Sequence, residues 1–400
     1  MKYIILVGDG MADYPIDELD GKTPLQVANT QNLDYLAKNG VVGMIKTIPE
    51  GMLPGSDVAI LSVLGYDAKK YYSGRAPLEA ASMGIELNED EIAFRCNLVT
   101  IKREILQDYS AGHISTQEAK ELIEFLDKKL GSDKVKFYPG VSYRHLMILK
   151  NSKFEIRNPQ LICIPPHDIT GKPYESYLPE GADAGVIREL MFASQGFLEN
   201  HAVNIKRMSE NKNPANMIWL WGQGKPPKIT TFEQRFGFRG AVIAAVDLVK
   251  GIGKYAGLEV INVPGATGYL DTNFVGKAEY ALATLKNKDF VFVHVEAPDE
   301  AGHNGNGQAK IKAIEDFDSK TVGTIIKGLS KITDKVKILA LCDHPTPISL
   351  KTHTADAVPF IIFGHKITPD EISAYNEVAA KNTLLNFEQG YTLMNYFISG

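Results

Sequence analysis

Three apolar runs, far apart in the chain, each end in an aspartate. They are Tyr-Ile-Ile-Leu-Val-Gly-Asp9-Gly, Phe-Val-Phe-Val-His-Val-Glu-Ala-Pro-Asp299-Glu-Ala-Gly-His303 and Ile-Leu-Ala-Leu-Cys-Asp343-His344, and Lys-Thr-His353-Thr-Ala-Asp356 follows shortly after the third. Short β-rich apolar runs of this kind read as buried strands of a parallel sheet. In open α/β sheets functional groups gather at the carboxyl ends of the strands. The pattern therefore brings Asp9, Asp299, His303, Asp343, His344 and His353 to one edge. Three carboxylates and three imidazoles there suit borderline divalent metals such as zinc or manganese.

A chain of 400 residues is long for one compact core, so two domains are expected, or one domain carrying an insertion. A composition 44% hydrophobic and 23% charged describes a soluble globular protein. The net charge of -5, without a basic run, argues against a nucleic-acid partner. No apolar stretch reaches the about 18 residues that span a bilayer. The N-terminus starts with a strand pattern rather than an export signal, so a cytoplasmic protein is expected. Cys96, Cys163 and Cys342 are odd in number and widely spaced, which reads as free thiols in a reducing compartment. The sequence leaves a homo-oligomer open.

The first segment reads as a strand over residues 3 to 8 and a helix over 23 to 39 that Gly40 stops. A second helix begins at Ser56, after Pro54-Gly55. From about residue 88 the texture changes to charged, alternating segments. These predict a separate α+β unit with a helix at 115 to 130, strands near 144 to 149 and 160 to 164, and a long helix over 183 to 209. Strand 217 to 221 follows, and βα alternation resumes with strands at 240 to 246, 258 to 263 and 358 to 364. Metal candidates lie before residue 60 and after residue 298. The expected organisation is a catalytic domain of residues 1–87 and 212–400, interrupted by an inserted domain of residues 88–211.

Asp299 and His303 are four apart, on one face of a helical turn, as two ligands of one metal would be. Asp343-His344 is an adjacent pair just after a strand. Ser56 is the natural nucleophile, because a helix N-terminus attracts phosphate and a neighbouring divalent cation would lower the hydroxyl pKa. Gly251-Ile-Gly253-Lys-Tyr-Ala-Gly257 misplaces the third glycine of a dinucleotide loop, and Gly222-Gln-Gly-Lys225 lacks P-loop spacing. A triad of Ser56, His344 and Asp343 would lack the Gly-x-Ser-x-Gly elbow and leave the other ligands unexplained.

With these residues the chain resembles the alkaline phosphatase superfamily, and within it the archaeal-type branch of the cofactor-independent phosphoglycerate mutases. The resemblance covers nearly the whole chain. It rests on Val-Gly-Asp9-Gly-Met, Asn-Thr-Gln-Asn-Leu-Asp-Tyr-Leu-Ala, Pro-Gly-Ser56-Asp-Val-Ala, Ser-Gly74-Arg75-Ala-Pro-Leu-Glu-Ala-Ala, Trp-Gly-Gln-Gly-Lys225, Glu-Ala-Pro-Asp299-Glu-Ala-Gly-His303, Cys-Asp343-His344-Pro-Thr-Pro and Thr-His353-Thr. It implies an α/β fold: an alkaline-phosphatase-like core with a mostly parallel sheet flanked by helices, interrupted by a smaller α+β inserted domain. It implies one metal on Asp299, His303 and His353 and another on Asp9, Ser56, Asp343 and His344. By comparison with bacterial-type mutases it implies that His113, Arg144 and Asp168 of the insertion grip the substrate.

The implied activity is interconversion of 3-phosphoglycerate and 2-phosphoglycerate through a phosphoserine, in glycolysis and gluconeogenesis. Two divalent ions (manganese, zinc, cobalt or magnesium) are the implied cofactors. Arg144, Arg75 and Lys225 are basic candidates for the substrate carboxylate or phosphate. A metal-dependent phosphomonoesterase, or a phosphomutase of another substrate such as a pentose phosphate, would use the same centre. A non-catalytic metal- or nucleotide-binding module would not need the nucleophile.

Overall fold

The computed structural model describes residues 1–150 and 161–399. It divides into two compact units, Met1–Tyr72 with Lys228–Gly400, and Ser73–Pro227. No helix among the described residues is long and apolar enough to cross a membrane.

The first unit is built on an eight-stranded sheet. Its strand order is Glu259–Val260, Gly240–Ile243, Phe290–Val295, Lys2–Gly8, Val336–Leu341, Val358–Gly364, Gly40–Ile45 and Asn386–Phe387. The first five strands run parallel to one another. Val358–Gly364 is antiparallel to both of its neighbours, and the edge strand is parallel again. Ile4, Ile5, Leu6, Val7, Val291, Phe292, Val293 and Leu339 are buried on both faces, which is why these strands read as unbroken apolar runs. Helices such as Gln31–Lys38, Asp247–Tyr255 and Phe274–Thr284 flank the sheet.

Several expected elements are shorter or divided. The helix expected over 23 to 39 is two, Pro24–Val27 and Gln31–Lys38. The first has a capping box between Thr23 and Gln26. The second is held at its start by the carboxylate of Asp318, which accepts from the Leu33 N–H at 2.7 Å. Gly40, expected as a helix stop, opens an unanticipated strand, Gly40–Ile45. The expected strand 258 to 263 is reduced to Glu259–Val260 at the sheet margin.

In the second unit, the long strand Glu91–Lys102 pairs antiparallel with Ile105–Asp108, Arg144–Lys150 and Met217–Gly224, and Val135–Val141 pairs with Arg144–Lys150. Thr116–Leu130 packs on one face, opened by a capping box between Ser115 and Glu118. The long helix expected over 183 to 209 is broken into Ala184–Leu198 and Ala202–Ser209, with the His201 side chain accepting from the Val203 N–H to start the second. The strand expected at 160 to 164 is Leu161–Ile162, residue 160 lying outside the described residues.

The unit extends beyond the expected 88–211 at both ends, for packing reasons. Helix Arg75–Ser82 lays Ala76 and Ala80 on Ala93, Leu146 and Ile148 of its sheet, and Met217–Gly224 is one of its strands. Cys96, Cys163 and Cys342 are free thiols, with Cys96 and Cys342 buried.

His145, on strand Arg144–Lys150 of this sheet, is buried, its Nδ1 accepting the Gly140 N–H at 2.9 Å. Burial pushes its pKa from 6.5 to about 3. The unfolded chain takes up a proton that the folded imidazole refuses, so this contribution to stability is complete above about pH 6.5 and is lost as pH falls towards 3. His145→Asn keeps an acceptor for Gly140 without the titration. Chemical denaturation should show the wild type losing up to about 1.4 kcal/mol per pH unit more than the variant below pH 6.5. Parallel curves would contradict this.

Candidate active site

Strand register alone levels the acidic residues. Val7 lies opposite both His294 and Leu341, and Gly8 opposite Val295. The three strands therefore end together, and the chain leaves the sheet at Asp9, at Glu296 and at Cys342-Asp343. Asp299 and His303 follow on the short helix Ala297–His303, one turn apart. Ser56 is the first residue of helix Ser56–Val63, after Gly55.

These residues meet as the spacing suggests. The Ser56 hydroxyl lies 3.1 Å from His344 Nε2 and 3.4 Å from Asp9 Oδ2. His344 Nε2 is also 3.5 Å from Asp9 Oδ1 and 3.4 Å from Asp343 Oδ2. On the other side, Asp299 Oδ2 is 3.3 Å from His303 Nε2, Asp299 Oδ1 is 3.4 Å from His353 Nε2, and the two Nε2 atoms are 2.8 Å apart.

The hydrogen bonding tells which atoms are spoken for. Asp343 Oδ1 accepts the N–H groups of Gly10 and His344, at 3.1 and 2.9 Å, while its Oδ2 is buried with no hydrogen-bond partner. Asp9 Oδ2 is bonded to His294 Nε2 at 2.9 Å, while its Oδ1 is likewise buried and unpartnered. His303 Nδ1 lies 3.0 Å from the Lys351 carbonyl, which can only accept, so Nδ1 carries a proton and Nε2 is the nitrogen turned towards Asp299. Each carboxylate thus has one oxygen anchored and one exposed to its neighbours, the arrangement by which surrounding groups orient metal ligands.

Electrostatics point the same way. Burial, reinforced by the charges of Asp343, Asp299 and Glu296, pushes Asp9 well above the usual carboxylate range. Burial also acts upward on Asp299, but hydrogen bonds from His303 and His353 hold it well below that range. Bare buried carboxylate oxygens are costly unless a cation completes them. The donor set fits one: His344 Nε2 lies 3.1 Å from Ser56 Oγ, 3.5 Å from Asp9 Oδ1 and 3.4 Å from Asp343 Oδ2, and a tetrahedron with bonds of about 2.0 Å has edges of about 3.3 Å. Among the described residues, three overlapping groups could hold a cation: Asp9, His294 and Asp343; Asp299, His344 and His353; and Asp9, Glu296 and Asp299.

Two residues of these groups, His294 and Glu296, were not anticipated from sequence. His294 lies inside an apolar strand and reads there as core; Glu296 follows that strand directly. A serine-hydrolase triad is ruled out by geometry, because Asp343 approaches the same His344 Nε2 that faces Ser56, whereas a triad acid must hold Nδ1. Asp356 accepts hydrogen bonds from the hydroxyls of Tyr14 and Thr354 at the surface.

The second unit has a cationic, aromatic cluster of its own. Buried Arg95 lies 4.1 Å over the Trp221 ring and donates from Nε to Glu79 at 3.0 Å. Burial, then the nearby Arg75 and Arg144 charges, lower its pKa against the support of Glu79. His167 meets the Trp221 ring edge-on at 5.4 Å, and its Nε2 is 3.6 Å from Asp168. Tyr109 links His167 to Tyr143, against which both His113 and Arg144 rest. His113, Arg144, Asp168 and Arg75 are thereby gathered, together with Arg95, Trp221 and His167, which sequence reasoning had not singled out. Lys225 is set at the start of the Arg75 helix, where the Ser73 hydroxyl donates to its carbonyl at 2.7 Å. The two segments cross backbone on backbone: a Cβ on Gly74 would sit 2.2 Å from the Gln223 carbonyl, so only glycine fits.

Comparison with known proteins finds relatives that span the whole chain. The family model of 2,3-bisphosphoglycerate-independent phosphoglycerate mutase matches residues 37–204. A protein of that name from Methanosarcina barkeri is 54% identical over 399 residues, spanning 100% of this chain and 99% of its own. Among solved structures, the PH0037 protein from Pyrococcus horikoshii superposes with a TM-score of 0.83 at 30% identity, covering 99% of this chain and 97% of that one. The cofactor-independent phosphoglycerate mutase from Thermoplasma acidophilum superposes with a TM-score of 0.67 at 26% identity, covering 100% and 99%.

Asp299→Ala and His303→Ala should each lower divalent-cation content, because water does not replace a charged ligand without large cost. Elemental analysis after equilibration with manganese is the check. In the wild type the ion should also raise the melting temperature, adding about 2.7 kcal/mol of stability at a hundredfold excess over its Kd. Full occupancy in either variant would remove that residue from the site.

Proposed function

This chain belongs to the family of 2,3-bisphosphoglycerate-independent phosphoglycerate mutases, and on that premise we propose that Ser56 carries the phosphoryl group while 3-phosphoglycerate and 2-phosphoglycerate are interconverted. The observation that carries this reading is the position of the Ser56 hydroxyl, 3.1 Å from His344 and 3.4 Å from Asp9, at the start of a helix and against buried carboxylates with bare oxygens.

Two divalent cations complete the centre in this reading. Asp9, Ser56, Asp343 and His344 would hold one, and Asp299, His303 and His353 the other. When bound they would neutralise charge on the attacking and leaving oxygens and lower the serine pKa. Which metal serves is left to experiment.

The chain's own residues do the rest. Ser56 Oγ bonds to phosphorus as the bond from phosphorus to the substrate oxygen breaks, and the departing oxygen takes up a proton. Glycerate then presents its other hydroxyl, which bonds to phosphorus as the Ser56 bond breaks. His294 holds Asp9 in place throughout, its Nε2 2.9 Å from Oδ2. Glycerate must stay held between the two transfers. Arg144, Arg75 and Lys225, with His113 and Asp168, are the groups proposed to do this. A planar guanidinium pairs two donors with one carboxylate, which supports an arginine in that role. Arg95, locked between Trp221 and Glu79, is proposed to keep this cluster rigid.

Incubating the metal-loaded protein with 3-phosphoglycerate and following phosphorus NMR should show 2-phosphoglycerate appear. Accumulation of free phosphate alone would identify a phosphomonoesterase instead. Ser56→Ala should lower turnover by more than about a hundredfold, the scale of losing a covalent step, with its circular dichroism unchanged. Activity within tenfold of wild type, at matched metal content, would sink the phosphoserine mechanism. Arg144→Ala should raise KM by about tenfold, the loss of one charge-assisted contact, and increase phosphate released per turnover. Wild-type KM and product ratio would exclude Arg144 from substrate binding.

A further inference from the structure

Thr346 is fully buried at the point where the two halves of the centre meet. Its backbone is clamped from both sides: its N–H donates to the Ala12 carbonyl at 3.2 Å, and its own carbonyl accepts from Lys310 Nζ at 2.9 Å. Lys310, itself fully buried, also donates to the Ala12 carbonyl at 3.1 Å and to Asp13 at 2.7 Å. Residue 346 is thereby tied to the segment that follows Asp9. Its side chain fills a cradle made by two glycines. A Cβ on Gly10, whose φ is +62°, would come 2.6 Å from Thr346 Oγ1, and one on Gly302 would come 2.9 Å from its Cγ2.

The side chain has one hydroxyl and two partners, Asp299 Oδ1 and His344 Nδ1, the latter at 3.3 Å. An ionised carboxylate only accepts, so the single hydroxyl proton goes to Asp299. The oxygen is then left as acceptor, and His344 must supply the other proton from Nδ1. That choice leaves His344 Nε2 as a bare lone pair facing Ser56, Asp9 and Asp343. One hydroxyl therefore orients a carboxylate proposed for one cation and selects the tautomer of an imidazole proposed for the other.

We propose that Thr346 is a positioning residue that couples the two halves of the centre, setting the His344 tautomer and the Asp299 carboxylate through a single hydroxyl. This inference rests on the two-cation reading above. Groups that orient metal ligands typically change metal affinity by tenfold or more when removed. Because this hydroxyl touches a ligand on each side, its loss should weaken both cation sites.

Thr346→Val keeps the shape of the side chain and removes the hydroxyl, while Thr346→Ser keeps the hydroxyl. Manganese titration, with the free ion followed by EPR, should find two equivalents in the wild type. In Thr346→Val both affinities should fall about tenfold or more, and Thr346→Ser should recover most of the loss. The metal-free wild type provides a check independent of any variant's folding: histidine-labelled nitrogen NMR should report His344 protonated at Nδ1 and bare at Nε2. The opposite tautomer would overturn the inference. So would a Thr346→Val protein with either affinity within twofold of wild type, or no recovery with serine. A wild type that binds fewer than two equivalents would overturn the two-cation reading and this inference with it.

Discussion

Four carboxylates stand close together at one end of a sheet whose interior excludes water, and the first unit is arranged around that concentration of negative charge. Asp9, Asp299 and Asp343 are buried and Glu296 half-buried, and Asp9 is driven well above its ordinary pKa by burial and by the other three. Like charges this near destabilise a fold unless each is oriented by hydrogen bonds and balanced by positive charge. Backbone N–H groups of Gly10 and His344 secure Asp343, His294 secures Asp9, and Thr346 with two imidazoles secures Asp299. The atoms left over, Asp9 Oδ1 and Asp343 Oδ2, face His344, an arrangement suited to a cation.

Rigidity around this charge comes from a second buried ion pair. Lys310 and Asp13 are both fully buried and 2.7 Å apart, and Asp13 also accepts the Ile348 N–H at 3.1 Å. Breaking such a pair strands a buried charge, at a cost of about 3–5 kcal/mol. The loops after Asp9 and after His344 are thus joined through the Lys310 ammonium, which donates to Ala12, Asp13 and Thr346. Precise placement matters more here than stability alone, since phosphoryl transfer depends on in-line geometry.

The second unit solves the opposite electrostatic problem. Arg75, Arg95 and Arg144 repel one another, and the unit offsets this with Glu79 and with aromatic faces at Trp221 and Tyr143. A guanidinium tolerates such a setting because its charge is delocalised and weakly hydrated. His167 is held down by burial and by Arg95 and Arg75, against the pull of Asp168, so it favours the neutral form.

The sequence by itself determined the parallel strands and the residues at their ends. An apolar run that terminates in Asp-Gly or Asp-His carries both its burial and its chemistry in a few consecutive letters. Asp9, Asp299 with His303, and Asp343 with His344 were readable in this way as neighbours at one sheet edge, Ser56 stood out only as the start of a helix after Pro54-Gly55 and His353 only by its nearness to Asp343-His344, and the second unit announced itself by its own texture. Only the tertiary structure decided what depends on pairing across the chain. Gly40–Ile45 became a strand because Val358–Gly364 offers it a ladder. The second unit took in Arg75–Ser82 and Met217–Gly224 because they pack on its sheet. His294, inside an apolar strand, and Thr346, between two prolines, have no local pattern that marks them. Their roles come from partners 285 and 47 residues away, at Asp9 and Asp299, and a hydrogen bond of that span is set by how strands are ordered in the sheet, not by the letters beside it.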